Sequence, residues 1–147
     1  MTVNPNAYVD ASRTNDSSRS SRVYKDISLS FTRHPITGDI AALTDVDAVK
    51  RSVRNLINTN FYERPFHPEI GSNVRAVLFE PVDVSTADIL GKYIEECIVN
   101  FEPRAELSNV IVNGDIDRNE YNVTIEFYVI NSPSDLQSVE IILERLR

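Results

Sequence analysis

The chain of 147 residues has no tryptophan, one cysteine and two histidines, and each shortage removes a class of chemistry. Cys97 alone frames no disulfide, and His34 with His67 makes no zinc-ligand pattern, so neither metal nor cofactor is expected. Cys97 falls in a helical apolar stripe and reads as a buried structural thiol. No apolar run approaches the roughly 18–20 residues of a membrane span. The first residues lack the apolar core of a signal peptide, so the chain is expected to be cytosolic when made. No repeat is visible, and no Ser/His/Asp, Cys/His or phosphate-loop spacing stands out. What remains is an ordinary composition, 41% hydrophobic and 25% charged, in a chain long enough to bury a core without staples.

Charge is unevenly spread. Residues 1–25 carry a formal +2, and residues 26–147 carry −9. An acidic body argues against nucleic acid and anionic membrane as partners, because phosphate neutralisation needs clustered Lys and Arg. Residues 1–22 are rich in Ser, Asn, Asp and Arg and read as a flexible arm preceding one domain over 23–147.

Within that domain Ile27, Leu29 and Phe31 alternate with Ser28, Ser30 and Thr32, the period of a half-buried strand. His34-Pro35 and Thr37-Gly38-Asp39 make a turn. Thr44 with Asp47 resembles a capping box opening a helix near 45–58. A short helix near 73–79 and a longer one near 85–101 follow, the latter capped by Asp83 or Ser85 and apolar at Ala87, Leu90, Ile94, Cys97, Ile98 and Phe101. Strands are expected near 106–113, 121–130 and 138–145, with turns at Asn113-Gly114-Asp115 and Ser132-Pro133-Ser134. The last segment also fits a short helix, but its Val and Ile favour the strand. Val123, Ile125, Phe127 and Val129 share one face, and Val139, Ile141 and Leu143 repeat the pattern in the last strand. The class is α+β: a small, mainly antiparallel sheet with about three helices packed on one face.

The densest backbone constraint lies in residues 60–81, which hold Pro65, Pro68 and Pro81 with Gly71. The prolines fix φ near about −65° and push Arg64 and His67 toward extended conformations. Gly71 permits a sharp, left-handed turn, and Ser72 or Asn73 can cap the short helix. The product is a stiff loop that sets Glu63, Arg64 and Glu69 in place while Phe61 and Phe66 anchor it to a core. A loop so constrained is a candidate for recognition.

Thr37-Gly38-Asp39, Glu63-Arg64-Pro65-Phe66, Pro68-Glu69-Ile70-Gly71, Leu78-Phe79-Glu80-Pro81 and Glu102-Pro103-Arg104 occur in this order between a first strand and a β-rich tail. Over residues 27–147 the chain resembles the baseplate wedge and sheath-initiator proteins of contractile-tailed bacteriophages, which share a family with a type VI secretion baseplate component. Tyr62 stands where many members carry glycine. The resemblance implies a structural protein of the virion tail, assembled in the host cytoplasm. Its partners would be other wedge proteins, the sheath protein, and tail tube or hub proteins. It also implies that Glu102, Pro103 and Arg104 belong to the wedge core. Both this triplet and the loop carrying Glu63, Arg64, Pro65, Phe66 and Glu69 are stiffened by proline and carry opposite charges at short spacing, so they are read as one contact region for wedge partners. The last strand, with Val139, Ile141 and Ile142, would offer an unpaired edge to sheath. An intramolecular ion pair of Arg104 with Glu102 or Glu63 is the simpler use of the same charges.

Proteins of this kind have also been labelled lysozyme-like, and the chain offers Glu63, Glu69, Glu80 and Glu102. A glycoside hydrolase needs two carboxyls about 5–9.5 Å apart across one cleft, one of them with a raised pKa. Here Arg64 neighbours Glu63, Arg104 neighbours Glu102, and Glu80 ends a helix against Pro81. No enzyme is expected.

Overall fold

A computed structural model describes residues 24–146, and the arm read over 1–22 lies outside them. Three helices, α1 (Asp45–Asn58), α2 (Val74–Val77) and α3 (Val84–Phe101), follow two short strands, β1 (Lys25–Ile27) and β2 (Ala42–Thr44). Three long strands close the chain: β3 (Ala105–Asp115), β4 (Glu120–Val129) and β5 (Ser132–Glu144). β1 and β2 form a separate antiparallel ribbon, while β3, β4 and β5 form an antiparallel meander in that order. The class read from the sequence holds, with one strand, β2, that periodicity did not reveal.

The meander buries one face. Tyr121, Val123, Ile125, Phe127 and Val129 of β4 meet Val139, Ile141 and Leu143 of β5 and the apolar stripes of α1 and α3 in one cluster. Helix α3 packs mainly on β3, and α1 reaches β5. Asp83 caps α3, its carboxylate accepting from the Thr86 N–H at 2.7 Å. The box expected at Thr44 does not form: Thr44 is the N-cap of α1 but its side chain makes no capping bond. Asp45 instead turns back, its carboxylate accepting from the Tyr24 N–H at 3.1 Å.

The first strand is shorter than its alternation suggests. Only Lys25–Ile27 pairs, Phe31 has a φ of 51°, and Ser28 is buried while Ile27, Leu29 and Phe31 are exposed. Among the described residues nothing covers these side chains, so a periodic face exists without burial. Two turns also move. Asn113-Gly114-Asp115 continues β3, and the reversal lies at 116–119. Gly114 serves close packing, since a Cβ there would sit 2.9 Å from Val82 Cγ1 and 3.3 Å from the Tyr121 ring. Ser132-Pro133-Ser134 lies in β5, inside a register shift where Val129 opposes Ser132 and Tyr128 opposes Leu136. In such a bulge a missing proline N–H removes no ladder bond.

Candidate interaction surfaces

The loop after α1 is closed by its own backbone. Asn60 and Ser72 form an isolated parallel bridge, Tyr62 N–H donates to Pro68 O at 2.8 Å, and Ser72 Oγ donates to Ile57 O at 2.7 Å. Gly71 does not adopt the expected left-handed φ. Its lack of a side chain serves contact instead, because a Cβ would lie 2.6 Å from the Asn60 carbonyl carbon. The left-handed residues are Tyr62, at φ 68°, and Phe66, at φ 71°. For non-glycine residues that region is strained by about 1–2 kcal/mol. Tyr62 thus holds the conformation that glycine would adopt freely.

Residues 61–69 are all exposed. Phe66 does not anchor the loop, being 96% exposed, and Phe61 is only partly covered. Anchoring comes from Ser72 and from Cys97, whose buried thiol donates to Gly71 O at 3.3 Å. Burial pushes that thiol up to about 11, consistent with a structural role. Glu63 accepts from the Asn60 N–H at 2.9 Å and Asn60 Nδ2 at 2.7 Å, bonds that lower its pKa, with a long contact to Arg75 at 4.0 Å. Glu69 meets His67 Nδ1 at 3.1 Å, and its own backbone N–H and His67 lower its pKa. Arg64 and Pro65 stand in solvent.

The second proline-stiffened segment turns its charges inward. Glu102 is 3% exposed and grips Arg104 bidentately, Nε to Oε1 at 2.6 Å and Nη2 to Oε2 at 2.7 Å. Burial would raise the Glu102 pKa, but hydrogen bonds from Arg104 and Ser52 of α1, with the guanidinium charge, bring it below its ordinary value. The Arg104 guanidinium also lies 5.5 Å from the centre of the Tyr24 ring. Pro103, exposed, takes the chain off α3 and into β3. The intramolecular pair is therefore Glu102–Arg104, while Glu63 is occupied by Asn60.

The third surface is the outer edge of β5, which among the described residues pairs only with β4. Arg145 N–H donates to Asn119 O at 2.9 Å, next to the opposed pair Glu120 and Glu144. Antiparallel bonding alternates, so Val139, Ile141 and Leu143 bond to β4 while Ser138, Glu140, Ile142 and Glu144 aim their N–H and C=O outward. Side chains alternate as well. Val139 and Ile141 face the core, and Ile142 is 63% exposed. Of the three residues read as an edge contact, only Ile142 thus offers both its backbone and its side chain. Sequence reading missed Arg54, whose Nη2 donates to Glu140 O at 3.2 Å across the edge. Helical spacing from the buried Val53 would have marked it as a polar-face residue, but not its reach to β5.

Among the described residues no cluster of His, Cys, Asp and Glu could hold a metal ion, and no helix is long and apolar enough to cross a membrane.

A profile of the family described as baseplate wedge protein gp25 matches residues 44–134. The match contains the loop and the Glu102-Pro103-Arg104 triplet, and stops before Val139. The baseplate wedge protein gp25 of Enterobacteria phage T4 is 32% identical over 103 residues, 70% of this chain and 78% of that protein. A putative tail lysozyme from Geobacter sulfurreducens has the same fold, with a TM-score of 0.62 at 19% identity over 67% of this chain and 89% of that one. So does a chain of the anti-feeding prophage baseplate, with a TM-score of 0.57 at 23% identity over 85% of this chain and 88% of that one.

Proposed function

The chain belongs to the baseplate wedge family of gp25, and from that premise we propose that it joins the wedge core near the tail tube and starts sheath assembly by lending the edge of β5 to a sheath strand. Its role is structural, in the baseplate of a contractile tail. The observation that carries the finer reading is the β5 edge, which no strand pairs among the described residues, with outward backbone groups at Ser138, Glu140, Ile142 and Glu144. An open edge is a template for another strand: main-chain bonds supply affinity, and alternating side chains set register. Ile142→Pro removes an outward N–H without breaking the β4 ladder, whereas Ile141→Pro would break it. Baseplates carrying Ile142→Pro should assemble and fail to grow sheath. Sheath of normal length on a folded Ile142→Pro protein would end the reading.

Wedge partners would meet the 60–71 loop and the Glu102-Pro103-Arg104 junction. The loop presents Glu63, Arg64, Pro65, Phe66 and Glu69 on a backbone already held, which lowers the ordering cost of docking. An exposed aromatic on such a frame is the kind of side chain that dominates interfaces. Arg104→Ala should impair wedge assembly more than it lowers the melting temperature. Outright unfolding of the free chain would leave the triplet an intramolecular duty alone. Sheath and wedge proteins, with tube or hub proteins beyond them, are the proposed partners, met in the host cytoplasm and retained in the virion.

We propose no catalysis. A general acid needs a raised pKa, and Glu63, Glu69 and Glu102 are all lowered by the bonds they make. Peptidoglycan turnover by the purified chain that vanished with Glu63→Gln would contradict this.

A further inference from the structure

The β5 edge does not open onto bare solvent. Along it runs the polar face of α1, where Asp47, Lys50, Arg51 and Arg54 recur at helical spacing and line a cleft with Ser138, Val139 and Glu140. Three cations against one carboxylate on that wall stand out in a body whose formal charge is −9. The other side of the edge has the opposite character. Glu140 and Glu144 direct their side chains away from the helices, flanking the exposed Ile142. Arg54 spans the opening, holding the Glu140 carbonyl that an incoming strand's N–H would need.

We infer that the groove between β5 and α1 takes an extended segment of a partner protein whose alternate residues are acidic, the carboxylates facing α1 and apolar or basic side chains lying beside Glu140, Ile142 and Glu144. This rests on the strand-addition reading and gives it a partner chemistry. Residues two apart on a strand share a face, so alternate carboxylates meet Lys50, Arg51 and Arg54 together. Side chains of the other set lie next to those of β5, where a carboxylate beside Glu140 or Glu144 is repelled and a lysine or valine is accepted. A segment acidic at every position is therefore disfavoured. In the free chain Arg54 blunts the edge by occupying the Glu140 carbonyl, a protection of the kind that keeps open strands from pairing indiscriminately. An incoming carboxylate gives the guanidinium a new bidentate partner, and the Glu140 carbonyl passes to the strand's N–H.

The test uses the full chain and two synthetic peptides of about nine residues, a typical strand length. One alternates Glu with Val and Thr, the other Lys with Val and Thr. The Glu peptide should bind at least about tenfold more tightly at low salt, as expected where charge complementarity selects the partner. It should also slow amide exchange at Glu140 and Ile142. Arg51→Glu with Arg54→Glu, in a protein of unchanged melting temperature, should invert the preference, and Ile142→Pro should abolish binding. Equal binding of both peptides with protection of Ile142 would overturn the acidic partner while leaving strand addition standing. Protection of Ile142 by neither peptide would overturn both readings. Binding that survives Ile142→Pro would place the peptide on α1 alone and overturn the groove.

Discussion

Two stretches of this chain look alike on paper and have opposite fates. Val123, Ile125, Phe127 and Val129 alternate with polar residues and are buried, whereas Ile27, Leu29 and Phe31 alternate just as cleanly and are 57%, 50% and 66% exposed. The difference lies in what covers them. β4 is the central strand of the meander, and α1 and α3 lie across the buried face of its sheet; β1 has one three-residue partner and, among the described residues, nothing that buries Ile27, Leu29 or Phe31. Alternation marks a face, and burial needs a second element to close over it. Apolar side chains left open on a peripheral ribbon, and on the 60–71 loop at Phe66, suit a protein that works by being covered in an assembly.

The matched pair of phenylalanines gives the widest separation. Phe127→Ala should lower unfolding free energy by about 3–5 kcal/mol, the range for aromatic truncation in a closed core. Urea denaturation reads it directly, and a loss near zero would mean that the sheet face is not the core.

Next comes the tie between the two regions, where Glu102 and Arg104 hold the start of β3 beneath Tyr24 at the head of β1. Glu102→Gln should lower stability by about 2–3 kcal/mol, less than the full effect of breaking a wholly buried pair because Arg104 keeps some water contact. The pH dependence follows from its lowered folded pKa. Its contribution is complete above the ordinary glutamate value and is lost as pH falls through the folded value. Glu102→Gln should therefore flatten the acid limb of the stability profile, and an unchanged limb would show that the pair contributes nothing.

Tyr62→Gly relieves a left-handed φ on the exposed side, offset in part by glycine's unfolded-state entropy, and should raise stability by about 0.5–1 kcal/mol. A decrease would mean that the Tyr62 ring has packing not evident from its exposure. Phe31→Ala should have the smallest effect, within about 0.5 kcal/mol, as for other surface sites. A larger loss would put Phe31 in a core and erase the contrast with Phe127.

How much was legible follows from the same physics. Helical periodicity and the Asp83 cap marked α1 and α3, and runs of β-branched residues marked the three long strands, although β5 begins at Ser132, well before the expected 138. The short helix α2 forms without the side-chain cap expected of Ser72 or Asn73. Turns were read less well: Asn113-Gly114 looks like a hairpin signal, but Gly114 is required by its cross-strand partner Tyr121 and by Val82, which is distant in sequence. The same holds for Gly71, whose partner is the Asn60 backbone. Arg104 with Glu102 could be named from adjacency, whereas Arg54 reaches a carbonyl 86 residues on, which no local pattern encodes.

Whether β5 is extended by a strand of another chain is read from a density map of the assembled tail. This chain should lie at the junction of tube and sheath, with a neighbouring main chain running about 4.8 Å from β5. That neighbour would bond to the outward groups of Glu140 and Ile142. A β5 edge left in solvent, or a chain seated away from that junction, would contradict it.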